Sequence, residues 1–542
     1  MESLTSREPG TRDFIPLIIL PICRALSERP SSPDNEVAKF SSLVDPAGVT
    51  PRPPYTQWIY SLDRAPPPPI SLSCAQAHTT DQGRAKAVNK KTTMPTPLLT
   101  LLLLLAAPGL TQEEAENSTE GPPQVAQTIT HQGLLPLRKH GGPLDERLFL
   151  SGDWGGKRDR LTEAGIRYDI IWTQVLQSVE SGGVNQSTEY GGKLDIPINF
   201  DLDRMGILPG ALFTFRTESK HGSSVNRDTG GLLAANDVHF FPLTDGEENV
   251  LLAITEFRYT QFLSKRLGLF LGKIITLGGD SNEFAGGRGE TQFLSHPFLA
   301  SSVTALMNPY SAPGAGVFWM PNEDVTVTTS IYTSNDASTS SGLDELDEGL
   351  TWSTAVRNQY KLNALPGGMN LAFQYAFDGN FTDIQGQFVD GGALNVPSNS
   401  ESWNAFWNIW QYLSVDGPGD QRVDATNGRT DLRGTGFFAR AGLADRDTNP
   451  VEWSLSLGLA GRGLHAGRPD DTFGIGYARS QIRENLLTDS FFVDDTSQRW
   501  EAYYSFALTP AVGLTLSAQI LDPLLETVDT ATVFGFRLRT SF

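Results

Sequence analysis

Charged side chains alternate with aromatic ones in three short segments, and the alternation sets both a geometry and a chemistry. From Leu212 to Glu218, Thr214, Arg216 and Glu218 share one parity while Phe213 and Phe215 share the other. From Ile254 to Thr260, Glu256, Arg258 and Thr260 oppose Phe257 and Tyr259. Near the end of the chain Arg499, Glu501 and Tyr503 oppose Trp500, Tyr504 and Phe506. Arg440, Arg537 and Arg539 join the polar set by the same reasoning. A strand points successive side chains to opposite faces, so each segment presents guanidinium and carboxylate groups on one side and rings on the other. A guanidinium offers only donors and an ionised carboxylate only acceptors. Such a row can hydrogen-bond a hydroxyl-rich solute, with an aromatic such as Tyr503 as a flat stacking surface. The same groups can instead pair with one another and only stiffen a wall.

Other chemistries find little support. Gly286-Gly287-Arg288-Gly289-Glu290 lacks the Lys-Ser/Thr ending of a phosphate loop and reads as a flexible loop. The acidic run Leu343 to Gly349 has the wrong spacing for an EF-hand and reads as an exposed loop. The seven histidines form no HExxH pair, and no Gly-x-Ser-x-Gly elbow occurs. His221 and His239, each near serines, are the thin basis for an outer-membrane enzyme. The two cysteines, Cys23 and Cys74, both lie near the start of the chain. The remainder has no thiol for a disulfide framework, a metal or a nucleophile. A net charge of -20 argues against nucleic acid as a partner. It also weighs against a pore ringed with lysine and arginine for anions.

The elements that must position these residues are short strands. From Leu148 onward, alternating segments recur between clusters of Gly, Asp, Asn and Pro. Leu194, Ile196, Ile198, Phe200 and Leu202 alternate with Asp195, Pro197, Asn199 and Asp201, a face that must see water. Leu371, Phe373, Tyr375 and Phe377 alternate with Asn370, Ala372, Gln374 and Ala376. Trp453, Leu455, Leu457 and Leu459 alternate with Ser454, Ser456, Gly458 and Ala460. Mean hydropathy is only -0.24 despite 39% hydrophobic residues, as expected of strands that alternate lipid-facing and lumen-facing positions. The last segment sets Phe534, Phe536, Leu538, Thr540 and Phe542 against Gly535, Arg537, Arg539 and Ser541. An arginine toward lipid near the midplane costs about 2–4 kcal/mol, so Arg537 and Arg539 belong to the lumen. Hydrocarbon leaves no backbone group unpaired, so such a sheet must close. The length predicts an all-β transmembrane antiparallel barrel of about sixteen strands, wide enough for an aqueous channel.

The front of the chain has another character. Residues 98–107, LLTLLLLLAA, follow Lys90 and Lys91 and precede Ala107-Pro108-Gly109. That is the order of a secretory signal peptide. The expected organisation is an upstream extension over 1–87 from a misassigned gene start, a signal peptide over 88–111, a flexible leader over 112–147 and a porin barrel over 148–542. A start near Val88 would keep both lysines in the signal, whereas Met94 would strand them. Trp154 to Gly165 reads as a short N-terminal helix, with Asp153 as cap and Gly165 as terminator.

Ser151-Gly152-Asp153-Trp154-Gly155-Gly156-Lys157-Arg158 with Leu161 and Gly165-Ile166 resembles the opening of the carbohydrate-selective porin (OprB) family. Gly436-Phe437-Phe438-Ala439-Arg440, Asp447-Thr448-Asn449-Pro450, Gly467-Arg468-Pro469-Asp470-Asp471 and Phe473-Gly474-Ile475-Gly476 are similar to its late-strand blocks. The resemblance covers about 148–542 and is weaker between 280 and 430. Leu514 to Pro523 departs from the family's wording, which bears on substrate more than on fold. The resemblance implies a bacterial outer-membrane barrel passing glucose and other small sugars by diffusion, without a cofactor. Outer-membrane lipid surrounds such a barrel, and the barrel-assembly machinery reads its last aromatic, here Phe542. On this reading Arg216, Glu218, Glu256, Arg258, Arg440, Arg499, Glu501, Tyr503, Arg537 and Arg539 are candidates for a sugar-binding constriction. A general or ion-selective porin is the alternative.

Overall fold

The computed structural model describes residues 133–243, 249–390, 393–416, 432–485, 488 and 492–542. The upstream extension, the signal segment and the first part of the leader lie outside them. Sixteen antiparallel strands form one closed barrel. In chain order they are β1 (Ile171–Ser181), β2 (Thr188–Asp201), β3 (Ala211–Gly222), β4 (Val250–Phe262), β5 (Leu267–Ile275) and β6 (Ser311–Trp319). Next come β7 (Val325–Thr333), β8 (Leu350–Leu362), β9 (Leu365–Phe377), β10 (Ser402–Val415) and β11 (Gly434–Ala444). The last five are β12 (Val451–Arg462), β13 (Thr472–Ile482), β14 (Thr496–Thr509), β15 (Val512–Leu521) and β16 (Ala531–Ser541).

Each strand pairs with its neighbours in sequence, and β16 closes on β1 with Thr173 opposite Arg539 and Val175 opposite Arg537. Closure pairs both edges of the sheet, which is what lets it sit in hydrocarbon. The alternation sorts residues as the sequence indicates. Phe534 and Phe536 are exposed on the outside, while Val533 and Arg537 are buried inside. Leu457 and Leu459 face out, and Ser454 and Ser456 face in. Among the described residues no helix is long and apolar enough to cross a membrane.

The two ends differ. One has tight connections such as 263–266, 363–364 and 510–511, and the other has long ones at 223–249, 276–310 and 378–401. Outer-membrane barrels place their short turns in the periplasm and long loops outside. The N-terminal segment lies at the short-turn end. Its helix α1 (Lys157–Glu163) is capped by Gly156 at φ 78°, with no side-chain cap bond. Asp153 is therefore not the cap: its Oδ1 accepts from Gly155 N at 3.1 Å, a local turn that competes for the carboxylate. Gly165 does terminate the helix, at φ 93°.

Arg158 ties the helix to its surroundings. Its guanidinium lies 4.1 Å from the Phe149 ring centroid and 4.9 Å from that of Tyr168, and donates to Tyr168 O at 3.0 Å. The leader is tied down over its described part. Leu134 and Leu135 N donate to Asp201 Oδ2 at 2.7 and 2.8 Å, and Arg138 donates to both Asp169 oxygens.

Candidate functional site

Two of the long connections turn into the barrel and fill much of it. Residues 276–310 bring Phe284, Phe293 and Phe298 against Tyr412, Phe438, Ala460, Ala478 and Tyr503 of the wall, all buried. Residues 223–243 bring Leu232 and Leu233 against Ala444, Val451 and Ile482, and Val238 against Val175 and Leu294. Phe241 stacks on Tyr310 with centroids 4.3 Å apart. The interior therefore has a small core of its own, built on loops that carry no strand periodicity.

Glycines make room for it. A Cβ on Gly476 would stand 2.7 Å from Phe298 Cε1, and one on Gly474 would stand 2.6 Å from Tyr503 Cε1 and 2.9 Å from Phe293 Cζ. The Phe473-Gly474-Ile475-Gly476 block is thus a bare patch of wall that receives the loop's rings.

Charged wall residues hold the same loops by their backbone. Glu501 accepts from Leu294 N and Ser295 N at 2.7 and 2.9 Å. Arg499 donates to Ala234 O and Leu233 O, both at 2.7 Å, and to Ser295 Oγ. Arg537 donates to Gly289 O at 2.6 Å and to Thr515 Oγ1 at 2.9 Å. Arg440 forks onto Asp280 at 2.8 and 2.5 Å, and reaches Phe298 O at 3.0 Å and Ala285 O. Each of these residues faces inward, as its parity indicates. What it meets there is protein, not a water-filled channel: Arg440, Glu501 and Arg537 are each 1% exposed. Tyr503 is also buried, edge-on to Phe293 at 4.9 Å, so its ring offers no stacking surface to a solute.

The other candidates gather on β2, β3 and β4. Arg216 donates to Asp195 Oδ2 at 3.0 Å and lies 3.7 Å from Glu256, which lies 3.2 Å from Arg258. Glu218, fully buried, accepts from Arg288 at 2.6 Å and lies 3.4 Å from Lys193. Lys193 is also 3.3 Å from Glu290. Arg539 adds positive potential at Glu290 and donates to Ser541 Oγ at 2.9 Å. The side chains of Arg258 and Arg216 keep 35% and 21% of their exposure, so they form the water-facing edge of the cluster.

Lys193, Asp195, Arg288, Glu290 and Tyr310 were not among the sequence candidates. Asp195 stood in the polar alternate set of β2, a signal that could have found it. Gly286 to Glu290 read as a flexible loop because of its glycines. It is instead the anchored tip of 276–310, with Arg288 at φ 54° and in contact with Glu218 and Tyr310. Burial opposes the Arg288 charge, yet Tyr310, Glu218, Asp195 and Glu290 hold its guanidinium well above the ordinary range. Burial likewise opposes the Glu290 charge, and Lys193 and Arg288 keep its carboxyl below the usual value. Among the described residues no group of acidic, His or Cys side chains could hold a metal ion.

His239 sits in loop 223–249. Burial, helped by Lys220 and His221, pushes its imidazole down to about 4, against backbone hydrogen bonds at His221 and Gly222 that favour charge. A folded value below the ordinary 6.5 stabilises the loop fully above that pH, and the contribution is lost as pH falls toward 4. It amounts to roughly 3 kcal/mol. Limited proteolysis of 223–249 is expected to accelerate between pH 7 and 4.5 in the parent protein. In His239→Gln the rate should change much less over that range.

A closed sixteen-stranded barrel, short turns at one end and long loops folded into the lumen from the other, with a charged cluster left at the water's edge: these define a porin of the outer-membrane type. The chain belongs to the carbohydrate-selective porin, OprB family, whose model matches residues 185–542. It is 23% identical over 435 residues to Porin B of Pseudomonas aeruginosa, covering 73% of this chain and 91% of that one. It is 24% identical over 442 residues to the putative porin QuiX of Acinetobacter baylyi, covering 73% and 94%. A high-pH structure of Pseudomonas putida OprB shares the fold at a TM-score of 0.62 and 20% identity, covering 73% of this chain and 99% of that one.

Proposed function

We propose that the protein passes glucose and other small sugars across the outer membrane by passive diffusion, through a constriction edged by Arg216, Glu256 and Arg258. The observation that carries this reading is the mixed charge of the cluster. Lys193, Arg216, Arg258, Arg288 and Arg539 stand against Asp195, Glu218, Glu256 and Glu290. Near-balanced donors and acceptors suit a neutral polyhydroxylated solute better than an anion, which favours an excess of cations. Transport of this kind needs neither a nucleophile nor a cofactor. Residues 88–111 would direct export, and Phe542 would present the assembly signal.

Glucose and maltose are expected to block ion conductance saturably in planar bilayers, at millimolar concentration. Arg258→Gln removes a partly exposed donor and deprives Glu256 of that partner, leaving it Arg216 at 3.7 Å. It should weaken that block by about tenfold, the worth of one hydrogen bond from a charged group. Ohmic conductance that no sugar alters would move the function to a general or charge-selective pore.

A further inference from the structure

The lipid face of the barrel carries an arginine that the pore does not use. On β13 the inward positions Gly474, Gly476, Ala478 and Ser480 are buried, while Ile475 is exposed and Tyr477 and Arg479 are half-buried. Arg479 therefore projects outward, toward the long-loop end of its strand. The register sets it beside Leu455 of β12 and Gln498 of β14. Its guanidinium lies 5.9 Å from the Trp453 ring centroid. One pair nearer mid-strand, Tyr477 and Trp500 contact with centroids 4.8 Å apart, and Tyr477 OH donates to Gln498 Oε1 at 2.7 Å.

Two tryptophans and a tyrosine mark the level where a barrel wall leaves hydrocarbon for the headgroup layer. Among the described residues Arg479 has no carboxylate partner. Its Nε is buried without a hydrogen bond. The rim carboxylate of Glu452 lies 3.9 Å from Arg483. A half-buried guanidinium at this level with no carboxylate partner among the described residues is free to take an anion from outside the protein. Its planar fork fits a phosphate bidentately. The flanking rings provide apolar surface for the rest of an amphiphile.

We propose that Arg479, with Gln498 and the Trp453–Trp500 girdle, is a docking site for the phosphate headgroup of an outer-leaflet glycolipid. The inference rests on the outer-membrane reading of the barrel and not on the identity of the solute.

The test uses the full-length porin in mild detergent with a bisphosphorylated lipid A as probe, followed by native mass spectrometry and thermal unfolding. The parent protein is expected to retain the lipid through desolvation and to melt at a higher temperature with it. Arg479→Gln should bind about tenfold more weakly, and Arg479→Lys should fall between the two. Undiminished binding in Arg479→Gln would overturn the proposal, as would equal binding of the dephosphorylated lipid. So would equal stabilisation by inorganic phosphate alone, which would make it a free-anion site. Single-channel conductance of Arg479→Gln should match the parent, which separates lost lipid binding from a misfolded barrel. A parent protein that bound the lipid but ignored sugars would refute the sugar reading and leave this one standing.

Discussion

Arg440→Ala is expected to loosen residues 276–310 from the β11 wall, raising open-channel noise and mean conductance while the barrel stays folded. The guanidinium is the counter-ion of Asp280 and a donor to Phe298 O and Ala285 O, all in a buried setting. Truncation leaves the carboxylate unpaired and the carbonyls without that donor. Breaking a buried pair from one side costs about 3–5 kcal/mol. That cost falls on the loop, because the β10–β11–β12 hydrogen-bond ladders run through the Arg440 backbone and not its side chain. Planar-bilayer recording gives the conductance, and retention of heat-modifiable migration in gels reports the intact barrel. Conductance indistinguishable from the parent's would mean that Arg440 does not restrain the constriction.

Phe293→Ala should act on the same loop by a different route. The ring is fully buried, 4.8 Å from Phe298, 5.4 Å from Phe438 and 4.9 Å from Tyr503. It lies over the two glycines of β13, which have no side chains to fill the space it leaves. Phe→Ala substitutions in cores cost about 3–5 kcal/mol, most where the surroundings cannot collapse. Glycine backbone in a hydrogen-bonded sheet cannot collapse, so the upper part of that range applies. Hydrogen exchange at the amides of 284–300 should rise sharply, while β13 and β14 stay protected. Unchanged exchange in the loop would show that the aromatic cluster is not what seats it. The two variants remove different restraints on one segment, so their combined effect should depart from the sum.

Much of the barrel was legible because membrane strands must obey a rule that sequence displays directly. Phe534 and Phe536 outside, with Arg537 inside, follow from alternation and from the cost of a cation in lipid. Arg216, Glu218, Arg440 and Glu501 were assigned inward on the same ground, and that is where they lie. Parity tells which face a residue takes but not what waits there. Residues 223–243 and 276–310 have no period, so nothing local announces that they fold back into the lumen. Glu501 and Arg440 therefore looked like channel groups and are anchors, and Tyr503 looked like a stacking platform and is core. Arg288 was hidden for a further reason. Its glycine-flanked segment has the composition of a free loop, and it is held by Glu218, distant in sequence. The expected cap of α1 is not realised because the helix begins at Lys157, which makes Gly156 the cap, while Asp153 closes a turn on Gly155 N upstream.

The anchors differ in what they grip, and the difference bears on how such pores diversify. Arg499 holds the carbonyls of Leu233 and Ala234, Arg537 that of Gly289, and Glu501 the amides of Leu294 and Ser295. Every amino acid carries a carbonyl, and all but proline an amide, so these three anchors recognise the path of the loops rather than their lettering. Side chains between the gripping points that neither join the aromatic cluster, as Phe293 does, nor pair with the wall, as Asp280 and Arg288 do, are free to vary without loss of the hold. One scaffold can in this way present many different apertures, each reached by point substitutions that never pass through an unfolded channel.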